Sequence, residues 1–269
     1  MLGLAKMGAV LMRDGQEAGL RRRGEVFLLA VQFLTRLPVP RDLPWSEARQ
    51  AEAMAYLPLV GLCVGGIGAL VLWGAALVFP MPVAVLMSLA ATLLVTGAFH
   101  EDGLADAADG LGGGVTRERA LEIMRDSRIG SYGAVSLGIV LALKVAGLVA
   151  LPLWMAVAVL ALGHGISRYG AVLVMFRADY ARVEGAKFAA PRISAGGHGL
   201  ALATAVAMAV ALVVLVGPAG LVGLGAAAVL GWGVTRIYLR KLGGFTGDCL
   251  GATQQMVELG LILGVLAWV

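Results

Sequence analysis

Only 14% of the 269 residues are charged and 59% are apolar, whereas roughly a quarter of an ordinary soluble domain is charged. The apolar residues come in runs long enough to make lipid the solvent, which excludes a soluble globular fold. The net charge of +4 comes from basic residues flanking those runs, with no basic patch interleaved with aromatics, so nucleic-acid binding is excluded as well.

Residues 1–24 read as an N-terminal extension. They end in Arg21-Arg22-Arg23 and lack the apolar core of a cleaved signal peptide. Residues 25–269 read as a single integral membrane catalytic domain. Its first apolar segment, 26–38, is shorter than the about 20 residues a crossing needs and is expected as an interfacial or re-entrant helix. Segment 41–55 is polar, and Ser46 is placed to cap a short surface helix there. Apolar spans are predicted over 56–79, 82–99, 133–151, 153–176, 199–217 and 219–239, with 255–269 as a marginal seventh. The fold class is therefore all-α: a polytopic transmembrane helical bundle of six to seven spans plus the short N-terminal helix. Gly61, Gly65 and Gly68 lie within the first span, where small residues let helices approach closely.

The connections near Pro80–Pro82, Leu151-Pro152 and Gly217-Pro218 are tight and uncharged, whereas 100–132, 177–198 and 240–254 are long and charged. All but two of the 21 Lys and Arg residues fall on the side of the long loops, the exceptions being Lys144 and Arg168 within spans. This asymmetry predicts that the long loops face the cytoplasm. The acids sort the same way, with Glu258 of the last segment as the exception. Polar chemistry gathered at one membrane face points to an enzyme acting at that face. A transporter more often keeps polar groups at the midplane.

Residues 99–114, FHEDGLADAADGLGGG, follow a span directly. Asp102, Asp106 and Asp109 fall within about 60° of one another on a helix. Like charges so placed repel, and a divalent cation relieves the repulsion; Mg²⁺ or Mn²⁺ suits such hard oxygen ligands. The plainer reading is a solvated acidic cap on a span. In residues 116–133 Thr116 is placed to cap a short helix. Arg125 and Arg128 then offer planar forks for phosphate oxygens, and Gly130 and Gly133 let backbone approach an anion; the alternative is arginines at lipid headgroups. His164 and Arg168 stand four apart within a span and either face a cavity or, for Arg168, snorkel to the interface. Lys144, mid-span, is expected to pair with another group. Arg177, Arg182, Lys187 and Arg192 suit anionic lipid headgroups or an anionic substrate. Residues 243–254, GGFTGDCLGATQ, carry one carboxylate, Asp248, among glycines. Cys63 and Cys249 form no metal or disulfide pattern.

Carboxylates, glycine-rich backbone and arginines at one membrane face point to metal-assisted phosphoryl chemistry on a diphosphate. No P-loop, nucleophile elbow or H-E-x-x-H is present. A cation or solute transporter using the acid cluster as its binding site is the second hypothesis.

FLTRLPVP (33–40), FHEDGLADAADG (99–110), MRDSRIGSYG (124–133) and GFTGDCLGA (244–252) resemble, in order and spacing, the cobalamin synthase family, adenosylcobinamide-GDP ribazoletransferase. The likeness runs from about residue 25 to the C-terminus. It implies a Mg²⁺-dependent enzyme of the bacterial inner membrane with its active site facing the cytoplasm. A hydroxyl of α-ribazole, or of its 5′-phosphate, would attack the phosphorus nearest the cobinamide of adenosylcobinamide-GDP and release GMP. Glu101, Asp102, Asp106, Asp109 and Asp248 would hold the metal, and Asp106, Asp109 and Asp248 are the candidate catalytic acids. Arg125, Arg128, His164, Arg168 and Thr246 are the candidate substrate-binding residues. Membrane lipid is a further partner, and a homo-oligomer is left open. DAADG at 106–110 is also similar to the opening of the CDP-alcohol phosphotransferase motif, whose later elements do not follow at the right spacing.

Overall fold

Inside lipid every backbone N–H and C=O must be satisfied within the chain, so long apolar runs become helices. The structure, a computed structural model, describes residues 19–181 and 192–269. Residues 1–18 of the expected extension, and Arg182 and Lys187 of the basic loop, lie outside the described residues.

Helix α1 covers 19–34 and carries Arg21–Arg23 in the same helix as most of segment 26–38. Its Val26, Leu29, Ala30 and Leu34 are buried in the core. Helix α2 (Glu47–Ala53) starts where Ser46 accepts a hydrogen bond from the Arg49 N–H. A 3₁₀ turn (Met54–Tyr56) then leads into α3 (Leu57–Ala76), and the run Glu47–Ala76 counts as one candidate span. The other candidate spans are α7 (Ser131–Ala150), α8 (Leu153–Arg177), α9 (Ala195–Val216), α10 (Pro218–Leu242) and α11 (Gly247–Trp268). The chain is thus an all-α, multi-pass membrane protein, with six helices long and apolar enough to cross. Prolines open several of these helices, where the missing N–H would have had no helical partner.

Two predicted boundaries change. Segment 82–99 is not one continuous span. It ends as α4 (Met81–Thr96), and the chain turns by 87° into α5 (Phe99–Gly113). Gly97 and Ala98 both take left-handed backbone, which ends one helix and re-aims the next. The chain after α1 holds this corner: the Arg36 N–H donates to the Val95 carbonyl at 2.7 Å, and the Arg36 guanidinium fills the space a side chain at Gly97 would need. The second change concerns 255–269. Thr246 accepts from the Cys249 N–H and caps a helix that starts at Gly247, so the Asp248 segment is the first turn of α11 rather than a loop before it. The apolar stretch of α11 is 78% buried, more than any other span, which makes α11 the central helix of the bundle. It packs on α5, α7, α8 and α10. Short helix α6 (Arg117–Ile123), capped by Thr116, sits between α5 and α10.

Candidate active site

The break at Gly97-Ala98 lays α5 across the start of α11. A side chain at Gly103 would meet the Asp248 backbone at 3.2 Å, and one at Gly251 would meet the His100 carbonyl at 3.0 Å. This close approach brings Asp102 and Asp248, far apart in sequence, onto one cavity of about 510 Å³. Arg125, after α6, and Arg168, on α8, line the same cavity, as does His100. A further part of its lining is apolar and comes from the end of α1, the 3₁₀ turn and the start of α3. Hydrogen bonds between Ala181 and Phe245 and between Phe245 and Asp179 tie the end of α8 to the approach to α11 beside it.

The acidic stripe divides among three tasks. Asp102 is exposed to the cavity, and Asp106 stands one turn further on, partly buried. Asp109 is buried and faces the start of α7. Its two carboxylate oxygens accept from the Gly130 N–H at 2.7 Å and the Gly133 N–H at 2.8 Å. The sequence suggests that these glycines admit an anion; here the anion is the chain's own Asp109. A side chain at either glycine would overlap that carboxylate. Glu101 turns the other way, into the bundle, where one oxygen accepts from Gln255 Nε2 at 2.7 Å. Its second oxygen is buried and has no hydrogen-bond partner among the described residues.

The remaining candidates separate similarly. Thr246 is fully buried, and its hydroxyl donates to Asp248 Oδ2 at 3.2 Å, so it stands behind Asp248 rather than on the cavity surface. Arg128 points to solvent and forms a two-pronged pair with Asp126, the shortest contact being 2.7 Å. The hydrogen bonds from Arg128 hold the Asp126 carboxyl at a pKa of about 2 and push the guanidinium upward. Arg168 does not snorkel. It is 1% exposed, and its Nη1 donates to the His164 carbonyl at 2.7 Å. His164 lies deeper, 3.6 Å from Glu258.

Beneath the site runs a buried polar network whose pairings the residue types left open, with Lys144 expected only to pair with another group. Lys144 donates to Gln255 at 2.6 Å and Glu258 at 2.8 Å. Gln254 donates to Glu258 and to Ser167. Gln255 joins this network to Glu101, because Lys144 has only protons to give and so forces the Gln255 amide to turn its NH₂ toward the acid. Glu258, Gln254 and Gln255 share one stretch of α11, a run of polar residues in an otherwise apolar span that is the visible sequence signal for the network.

Among the described residues, no three His, Cys, Asp or Glu side chains stand close enough to form a metal cage. Asp102 and Asp248 on one cavity fit a looser arrangement, since Mg²⁺ usually takes one or two carboxylates and completes its shell with water and substrate phosphates.

The family model described as cobalamin-5-phosphate synthase matches residues 26–266. The chain belongs to this family. Similar proteins named adenosylcobinamide-GDP ribazoletransferase occur in Leptothrix cholodnii (44% identical, covering 94% of this chain and 98% of the relative), Ralstonia nicotianae (44%, 93% and 98%) and Vibrio parahaemolyticus (42%, 95% and 97%). No solved structure matches. As a cobalamin synthase the chain is an enzyme, a membrane-spanning transferase of cobalamin biosynthesis. The transporter hypothesis falls away on this finding.

Proposed function

We propose that the chain joins adenosylcobinamide-GDP to α-ribazole, or to its 5′-phosphate, and releases GMP in a Mg²⁺-dependent reaction at the cytoplasmic face of a bacterial inner membrane. The observation that carries this reading is the meeting of Asp102 and Asp248 with Arg125 and Arg168 around one cavity. Carboxylates and guanidiniums on one cavity are what a metal-bound diphosphate requires. The relatives' printed name supports the substrate pair, and the one-sided distribution of basic residues supports the orientation.

Asp102 and Asp248 would hold the ion, with Asp106 one turn along α5 and Thr246 fixing the Asp248 rotamer. Bound there, Mg²⁺ would supply charge neutralisation for the diphosphate and the departing phosphate. Arg125 and Arg168 bind the phosphate oxygens and hold the phosphorus nearest the cobinamide for in-line attack. The ribazole hydroxyl oxygen forms the new P–O bond, its proton passes to a carboxylate of the same wall, and the P–O bond to GMP breaks. Asp109 acts by position, pinning the start of α7 to α5.

The test is GMP release by purified chain in lipid nanodiscs supplied with both substrates, with Mg²⁺ and after chelation. Turnover is expected only with the metal present. Asp248→Asn should lower it at least about a hundredfold, the scale of a lost charge-stabilising group, without reducing the yield of folded protein. Full turnover by Asp248→Asn would remove this residue from the site.

A further inference from the structure

We infer that the apolar wall of the cavity is the seat of the nucleophile's base, the flat benzimidazole ring of α-ribazole, rather than of guanine or the corrin. This assignment rests on the reaction proposed above. The lining of the cavity is uneven in its chemistry. From α1, the 3₁₀ turn and α3 come only apolar groups, Phe33, Leu34, Met54 and Leu57. From α5 and α11 come the two carboxylates, Asp102 and Asp248, beside Phe99, His100 and Leu250. Along α8 the boundary can be followed on one face: Arg168 lies deep, and Ala171 and Met175 follow at the three- and seven-residue spacing of a single stripe. Phe33 and Phe99 stand edge to face at 5.6 Å between centroids, and both rings line the cavity that holds the acids.

Three occupants compete for that wall. Guanine carries amide, amino and ring nitrogens along its edges, and burying them against Met54, Leu57 and Met175 would leave donors and acceptors unpaired. A corrin with its side chains is far larger than about 510 Å³, a volume suited to a ligand of nucleoside size. A benzimidazole riboside matches both kinds of lining in its chemistry. Its ring has no N–H donor and one acceptor nitrogen, and its ribose hydroxyls are suited to hydrogen-bond carboxylates. Arg125 and Arg168 remain for the phosphates of the second substrate, whose guanine and corrin portions then extend outside the apolar wall.

Two measurements decide the assignment. Phe33→Ala should raise KM for α-ribazole about tenfold, the scale of one lost aromatic contact with its buried area, while KM for adenosylcobinamide-GDP stays within about twofold. A rise confined to adenosylcobinamide-GDP overturns the inference. Because Phe33→Ala also touches the core, a second arm uses the wild-type chain in nanodiscs with a photoreactive azidobenzimidazole riboside. Label is expected in the stretch 33–57, blocked by excess α-ribazole and not by GMP. Blocking by GMP would assign the wall to guanine. Label elsewhere, or none because lipid chains fill the wall, also overturns the inference. If the wild-type chain shows no GMP release, the parent reaction fails, and the labelling arm still reports where the ring binds.

Discussion

Several polar residues of the site act on the chain before they act on any substrate. Asp109 holds two backbone amides at the start of α7, so its loss would strand a buried N–H group at Gly133 and a half-buried one at Gly130. Unpaired buried donors cost about 1–3 kcal/mol each. Asp109→Ala should therefore lower the thermal unfolding midpoint of the detergent-solubilised chain, and turnover should fall with it. A variant that keeps its midpoint and loses only turnover would make Asp109 a direct participant. The two loop arginines should separate in the same assay. Arg125 faces the cavity, whereas Arg128 is committed to Asp126 and points to solvent. Arg125→Ala is expected to lower kcat/KM by at least about tenfold, the scale of a charge-assisted phosphate contact; Arg128→Ala should change it by less than about threefold. Equal losses would return Arg128 to the site. The Asp126 carboxyl titrates lower folded than unfolded, near 2, so the pair is complete above the ordinary carboxylate range and fades only as pH falls through that range toward 2. Changes of pH around neutrality leave this loop contact intact.

At the scale of elements, the decisive features are the corner between α4 and α5 and the polar seam of α11. The corner sets α5 across the start of α11 and makes one site of two motifs. The seam anchors Glu101 to a buried ion pair, Lys144 with Glu258, whose side chains are only 4% and 7% exposed. Removing one partner of such a pair leaves a buried charge and costs about 3–5 kcal/mol, whereas removing both can be nearly neutral. Lys144→Met should thus destabilise strongly, and the Lys144→Met, Glu258→Gln double variant should regain much of the loss in thermal unfolding. Additive losses in the double variant would show that the pair is not the coupling element. Much of this scale was legible early. The apolar runs mark the spans, Ser46 and Thr116 mark helix starts, and the i, i+4, i+7 acids do lie on one helix. The break inside 82–99 was not legible, because Ala98 in left-handed backbone has no local signature and the corner is held at Val95 and Gly97 by Arg36 from another part of the chain. Nor was the start of α11, since Gly251, one of the glycines that suggest a turn in 243–254, serves close packing on α5.

For the whole molecule, the tight turns and the charged connections lie at opposite ends of the helical hairpins, and the cavity belongs to the charged end. The cytoplasmic orientation proposed from loop charge has a direct test. Arg128→Cys places a thiol on the exposed loop, and a membrane-impermeant maleimide should label it in inverted vesicles and not in intact spheroplasts, with the wild-type cysteines as background. The reverse pattern would put the site on the outer face.

What composition and order alone determined was the solvent, the fold class, the gathering of polar chemistry at one end of the spans and the family, because span hydropathy, loop charge and motif spacing are local quantities. Only the tertiary structure decided which acids share a cavity. Asp102 meets Asp248 because a corner and two glycine contacts bring α5 onto α11. Asp109 and Glu101 belong to the same acidic stretch but are claimed by α7 and α11 through hydrogen bonds that close only when distant helices pack.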